Sequence, residues 1–352
     1  MPLIDWTKSM TQSFEFCTVD PNTWCDIKKL DTVKTATITR DADSETLGSA
    51  SFNLVDTLGE CYLRTYIIAT QNGYSERIPL GTHILQTPSS KFNGKNRTVS
   101  VDAYTPLLEL KEKVPPIGYS LFKGANIFNS ASKIVSENAR APIVAIDTGV
   151  KLEEDFVSNT DDTWLTFLTD LLSKVNYSFT LDEMGRILFA PIEQEKHLQP
   201  VYTFYDNDIS IIQSDISLSH DIYGLPNVVE VIYSKDNVNY YSRAVNDSYG
   251  SPISTINRGR EIVYRVNNPE MNGIPTQQLI DEYAKQVLKN KSTVIYTLSY
   301  THSYCPVRVG DCVRINYEKA GLKNVIAKVI SQSINCTTGC QVSEKAEYSV
   351  EL

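Results

Sequence analysis

Ser49-Ala50-Ser51-Phe52-Asn53-Leu54 alternates polar and apolar residues without a break, and Val99-Ser100-Val101-Asp102-Ala103 repeats the pattern further on. Successive side chains of a strand point to opposite faces, so a period of two predicts strands with one face on a core. Outward from these runs lie turn residues, Gln71-Asn72-Gly73 and Asn93-Gly94-Lys95-Asn96. Residues 1–104 therefore read as a first β domain, a barrel or sandwich of short strands.

After Tyr104 the period lengthens. Leu107, Leu108, Leu110 and Lys111 open a helical turn that Pro115-Pro116 interrupts. A second helix is predicted from about Ala125 to Ala139, with Ile127, Phe128, Ala131, Ile134 and Val135 on one face. A third starts at Asp161-Asp162, read as N-cap residues, and carries Trp164, Leu165, Phe167, Leu168, Leu171 and Leu172. It leads into a hairpin, Tyr177 to Thr180 and Arg186 to Phe189, turning at Asp182-Glu183-Met184-Gly185. Residues 105–200 thus read as an inserted α+β domain.

Strands return near Val201. Val229, Val231 and Tyr233 mark one; Val294, Tyr296, Leu298 and Tyr300 mark another; Val313 to Tyr317, Val325 to Ile334 and Gln341 to Val350 form a closing meander. One amphipathic helix, about 275–290, interrupts them, with Pro275 in its first turn and Leu279, Ile280, Tyr283, Ala284, Val287 and Leu288 on its apolar side. The fold class is mainly β (α+β): two β-barrel domains, 1–104 and 201–352, with the α+β domain inserted between them.

Composition narrows the function. Twenty tyrosines against four methionines suit strands, and 41% hydrophobic with 21% charged residues suits a folded globular chain. The formal net charge is −9, with no basic run to grip phosphates, which argues against nucleic-acid binding. The first residues, Met1-Pro2-Leu3-Ile4-Asp5-Trp6, do not form a secretory leader, and no apolar run reaches membrane-spanning length; folding in a cytoplasm is expected, without membrane insertion.

The chemistry-bearing residues are scattered. The seven cysteines (Cys17, Cys25, Cys61, Cys305, Cys312, Cys336, Cys340) are expected to be reduced thiols, and Cys336-Thr337-Thr338-Gly339-Cys340 reads as a hairpin loop without a zinc partner set. His83, His197, His220 and His302 fall in no metal-binding spacing. Glu153-Glu154-Asp155 and Asp161-Asp162 read as helix-start and surface acids rather than glycosidase pairs. The tyrosine-rich runs Tyr202-Thr203-Phe204-Tyr205 and Asn239-Tyr240-Tyr241-Ser242 suit strand packing or a subunit interface. The expectation is a protein that is not an enzyme, with no catalytic, metal or cofactor site.

Three stretches resemble a known family. Leu80-Gly81-Thr82-His83-Ile84-Leu85 followed by Arg97 to Tyr104 and Leu107-Leu108-Glu109-Leu110 is similar to the first domain of phage tail hub proteins. The helix and Asp182–Gly185 hairpin resemble the insert of that family, and Val309-Gly310-Asp311-Cys312-Val313 with Ala327 to Ile334 resembles its closing barrel. The family includes contractile-baseplate hubs, late control protein D relatives and the hub part of type VI secretion (VgrG) spikes. The resemblance implies a virion structural protein of the tail tip or baseplate, assembled in the bacterial host cytoplasm. It implies a homotrimeric ring that joins a hexameric tail tube (or distal tail protein) to the tape measure protein and a spike or tip protein. Genomic DNA would pass its channel during ejection without specific binding. Because the sequence stops at Leu352, a spike is expected to be a separate polypeptide. A carbohydrate-binding tail-tip adhesin is the alternative, and a peptidoglycan hydrolase a more distant one.

Overall fold

The computed structural model describes residues 4–92, 94–95, 97–193, 199–235, 238–269 and 276–351. Asn93, Asn96, His197 and Pro275, which figure in the sequence reading, lie outside the described residues.

The first region is all strand: β1 (Thr11–Val19), β2 (Asp26–Lys29), β3 (Val33–Asp41), β4 (Gly48–Leu54), β5 (Tyr62–Gln71), β6 (Tyr74–Phe92) and β7 (Arg97–Tyr104). β5 and β6 meet at a two-residue turn, where Asn72 and Gly73 take φ of 51° and 79° and Gln71 opposes Tyr74. Two left-handed residues in succession match the twist of a hairpin, and Asn-Gly is the pair that adopts them most readily. As the alternation predicts, Ala50, Phe52 and Leu54 of β4 face Ala103, Val101 and Val99 of β7 on the buried side.

The insert contains α1 (Leu108–Glu112), β8 (Ser120–Leu121), α2 (Ile127–Asn138), β9 (Ile143–Val144), β10 (Phe156–Val157), α3 (Trp164–Ser173), β11 (Tyr177–Leu181) and β12 (Ile187–Pro191). All the apolar residues expected on α2 and α3 are buried, and they share one core with Val19, Trp24, Tyr62 and Ile84. One boundary differs from the sequence reading. The N-cap of α3 is Thr163, whose hydroxyl accepts from Thr166 N in a capping box, while Asp162 accepts from Asn159 N and closes the preceding turn. The cap must sit immediately before the first helical residue, and Thr163 holds that place.

The remaining elements are β13 (Pro200–Tyr205), β14 (Ser217–His220), β15 (Val228–Lys235), β16 (Val238–Val245), α4 (Thr255–Arg258), β17 (Val263–Asn267), α5 (Gln277–Lys291), β18 (Thr293–Ser303), β19 (Cys312–Tyr317), β20 (Leu322–Asn335) and β21 (Gln341–Glu351). Thr276, not a residue further back, caps α5 by accepting from Leu279 N. The Cys336–Cys340 loop joins β20 to β21 as expected.

The protein is mostly β with large antiparallel sheets, but among the described residues no strand path closes into a barrel. The reason is β20. Its first half pairs with β19 and its second, Ser331–Asn335, pairs with Asp41–Thr37 of β3. Strands from both ends of the chain therefore share one open sheet, and Ile334, Cys336, Cys340 and Val342 join the core of Phe52, Leu63 and Val101. Period-two patterning locates strands but not their partners.

The chain forms two compact units: residues up to 216 together with 299–346, and residues 217–298 together with those from 347 onward. In the second unit β16, β15 and β17 form a sheet on which α5 packs through Ile280 and Ala284 against Val229, Val231 and Ala244. Its other face carries a cross-strand ladder, Arg243–Glu230–Arg265, with Glu230 Oε2 2.7 Å from Arg265 Nε. In the same unit His220, Tyr296 and Tyr348 stack in a row, at centroid distances of 4.5 and 5.2 Å.

Candidate functional site

The insert's hairpin turn is fixed to the strands of the first unit by a set of converging donors. Asp182 N donates to Arg186 O and Gly185 N to Asp182 O, a three-residue loop with Gly185 at φ 75°. This loop presents the carbonyl of Met184 outward. Trp24 Nε1 reaches it at 2.7 Å, Thr82 Oγ1 at 3.0 Å and Arg64 Nη2 at 3.1 Å. Arg64 is 1% exposed and its guanidinium also donates to Thr82 Oγ1, Asp26 Oδ1 and Trp24 O. Asp26 in turn binds Tyr66 and Arg77, and Arg77 lies 3.3 Å above the Tyr66 ring. Burial pushes the Asp26 pKa up, but the Tyr66 and Arg77 hydrogen bonds and the arginine charges outweigh it and hold the carboxyl below the usual range. A buried charge is tolerable only when its donors are filled in this way.

The neighbouring Glu183 takes Arg308 Nε at 2.5 Å and Arg40 Nη2 at 3.9 Å. Arg40 continues inward, donating to Leu80 O at 2.7 Å and to Gln332 Oε1 at 3.1 Å. Gln332 leads to a buried cluster. It donates to Glu344 Oε1 and, at 2.9 Å, to Val307 O; Tyr300 OH donates to Glu344 Oε2 at 2.6 Å. His302 Nε2 stands 3.2 Å from Glu344 Oε1, an ionic contact without hydrogen-bond alignment, and its Nδ1 is 3.8 Å from Cys305 Sγ.

Cysteine, histidine and glutamate in that order suggest a nucleophilic triad, an arrangement that residue spacing did not reveal. Its chemistry is blocked by burial. His302 is 0%, Cys305 1% and Glu344 2% exposed, so no substrate reaches the sulfur. Burial raises the Cys305 pKa, the opposite of what an attacking thiolate needs. Burial lowers the His302 pKa, yet its contacts with Cys305 and Glu344 prevail and raise it to about 10. The set is a buried ion pair between β18 and β21, to which Gln332 of β20 adds a hydrogen bond.

The other residues weighed from the sequence lie apart. None of the seven cysteines is in a disulfide, and only Cys25 is exposed. His83 is buried on β6 and His220 lies on β14. Asp155 accepts from Lys123 N and Glu154 faces Lys174, so these acids hold loops and surface. Tyr202 packs at a tilt on Phe204, which meets Tyr300 edge to face. Among the described residues no group of three or more His, Cys, Asp or Glu could hold a metal, and no helix is long and apolar enough to cross a membrane.

One cavity of about 540 Å³ lies beside this polar relay, between the insert's hairpin and β3, β6 and the Arg308–Asp311 turn. It stays within the first unit.

The whole architecture has solved counterparts. The tail protein from Neisseria meningitidis MC58 matches with a TM-score of 0.62 over 96% of this chain and 96% of that one, at 12% identity. The 43 kDa tail protein of prophage MuSo2 from Shewanella oneidensis matches with a TM-score of 0.62 over 96% and 98%, at 11% identity. This is the fold of phage tail proteins. A chain of the Francisella PdpA–VgrG complex also matches, with a TM-score of 0.55, 9% identity and 97% of this chain against 53% of that one. No protein-family model and no curated protein matches the sequence. The resemblance to phage tail and baseplate hubs read from the sequence therefore holds at the level of fold.

Proposed function

We propose that the chain is a structural hub of a phage tail tip or baseplate, or of a related injection machine. The observation that carries this reading is the tail-protein fold spanning 96% of the chain against two solved structures. The burial of the His302, Cys305 and Glu344 side chains supports it, since it closes that cluster to substrates. On this reading the protein is a virion component without catalytic, metal or cofactor sites, built in the host cytoplasm. The β regions 1–104 and 201–352 flank the insert 105–200 and supply two docking surfaces per chain. Three chains in a ring then offer six surfaces to a hexameric tube, which resolves a threefold-to-sixfold mismatch by closed symmetry. The distal tail or tube protein, the tape measure protein and a spike or tip protein are the expected partners. The net charge of −9 suits a channel that lets DNA pass without holding it.

Electron microscopy of the purified assembly tests the proposal. A threefold ring with an open or plugged central channel supports it. A stable monomer, a sixfold ring of this chain, or a lumen lined with Lys and Arg would overturn it.

A further inference from the structure

We propose that the cavity beside β11 is a binding site for an extended segment of a partner protein that pairs with the β11 edge and inserts a Lys or Arg side chain. The inference goes beyond the hub reading and does not depend on it.

The edge comes first. β11 is the outer strand of the sheet β11-β12-β9. Asp182 N bonds Arg186 O and Ile192 N bonds Asn176 O, which fixes the alternation of the ladder. With the register Ser178↔Ala190 and Thr180↔Leu188, those pairs exchange hydrogen bonds with β12. The N–H and C=O groups of Tyr177, Phe179 and Leu181 therefore point away from it, and among the described residues they have no backbone partner. Ser178, Phe179, Thr180, Leu181 and Asp182 all line the cavity. Ile38 to Asp41 of β3 line it as well, so the cavity runs along both strands. An open edge is a template for an added strand, and the five residues of β11 offer about 17 Å of it.

The charge of the incoming side chain follows from what remains unpaired. Arg40 and Arg308 are engaged by Glu183, and Arg186 by Asp182. Among the described residues, three lining acids (Asp41, Glu193 and Asp311) lack an ion-pair partner, against one lining cation, Lys328. A cationic guest completes that set.

An independent mark is His83. It lines the cavity, is 3% exposed, and its Nδ1 has no hydrogen-bond partner. Its ring lies over Gly81, where a Cβ would come within 2.6 Å of Cε1, so no side chain there covers it. A buried polar atom left unpaired is a deficit that a ligand group removes. Burial and the Arg40 charge lower the His83 pKa to about 3, so the ring is neutral and its Nδ1 can accept or donate.

The test uses the full chain and fluorescein-labelled nonapeptides of alternating Thr and Val around a central Lys. Controls carry a central Glu, or N-methyl groups at alternate positions that block strand pairing. Saturable binding of the Lys peptide is expected. Loss of about tenfold or more in affinity is expected for each control, and for Asp41→Asn with Asp311→Asn at unchanged thermal midpoint. Bound peptide should slow amide exchange at Phe179 and Leu181. Absence of saturable binding at millimolar peptide, equal or tighter binding of the Glu peptide or of single-stranded DNA, or full affinity in the double variant would overturn the proposal.

Discussion

Trp24 Nε1 donates to the carbonyl of Met184 at 2.7 Å, joining residues 160 positions apart. Trp24 follows β1 and Met184 sits in the β11–β12 turn, so one bond ties the first strands to the insert. Because the acceptor is backbone, the turn's conformation matters more than the identity of residue 184. The indole also packs on Tyr62 at 4.9 Å between ring centroids, within the core that holds α2 and α3.

Truncation of Trp24 to Ala should therefore destabilise the chain by about 3–5 kcal/mol, through lost burial and a lost donor. Trp24→Phe keeps an aromatic ring in the core and should cost about half as much. Met184→Leu should change stability by less than about 1 kcal/mol, since its carbonyl remains. Urea unfolding of the three variants reads these differences. Equal losses for Trp24→Phe and Met184→Leu would remove the hydrogen bond from the account.

Gly185 is held in the left-handed region at φ 75°, and a Cβ there would lie 2.7 Å from Thr82 Cβ. Gly185→Ala should cost about 1–3 kcal/mol, combining backbone strain with displacement of the Met184 latch. Gly149, also at positive φ but with nothing within 4 Å, is the comparison: Gly149→Ala carries the strain alone and should cost less. Similar losses at both sites in a thermal melt would mean that the close approach to Thr82 is unimportant.

The same residues mark what a sequence reveals. Helix α3 was legible because its apolar residues recur on one side and all six are buried. The Asp182–Gly185 turn was legible from its chemistry. The pairing of β20 with β3 was not, since both strands alternate alike and neither pattern names a partner. Likewise Arg64 reads as a surface residue until Thr82, Asp26, Trp24 and Met184 surround it. The His302–Glu344–Cys305 cluster forms only when β21 brings Glu344 beside the end of β18 and the loop that follows it, a pairing no local spacing announces.

The thiols give a third expectation. Cys336 and Cys340 are 4% and 0% exposed, and burial raises the pKa of both, Cys340 to about 12. Reactivity follows the thiolate, so these sulfurs should resist alkylation in the native state while Cys25 reacts first. Reductant should leave the thermal midpoint unchanged. Mass spectrometry after brief iodoacetamide treatment checks the order of labelling; early modification at Cys340 would mean that the β20–β21 loop opens.

The buried ion pair gives the last and most pH-sensitive expectation. His302 is raised from 6.5 to about 10 in the folded chain, so its contribution is complete below pH 6.5 and is lost as pH climbs towards 10. Burial raises the Glu344 pKa, but the contact with the His302 charge, with hydrogen bonds from Tyr300 and Gln332, lowers it below 4.5 overall. Its contribution is present above pH 4.5 and is lost as pH falls through the lowered value. The pair is therefore at full strength between about pH 4.5 and 6.5. Glu344→Gln should cost about 3–5 kcal/mol near pH 6, because it leaves a buried imidazolium without its counter-charge or forces it neutral. That cost should shrink steadily between pH 7 and 10, as the wild type loses the same interaction. A stability difference that stays constant across this range would mean His302 is neutral throughout. Replacing both partners, His302→Leu with Glu344→Met, should recover much of the loss and flatten the alkaline slope, since an apolar pair needs no compensation for lost solvation. Urea midpoints of wild type, single and double variants at pH 6, 8 and 9.5 separate these cases.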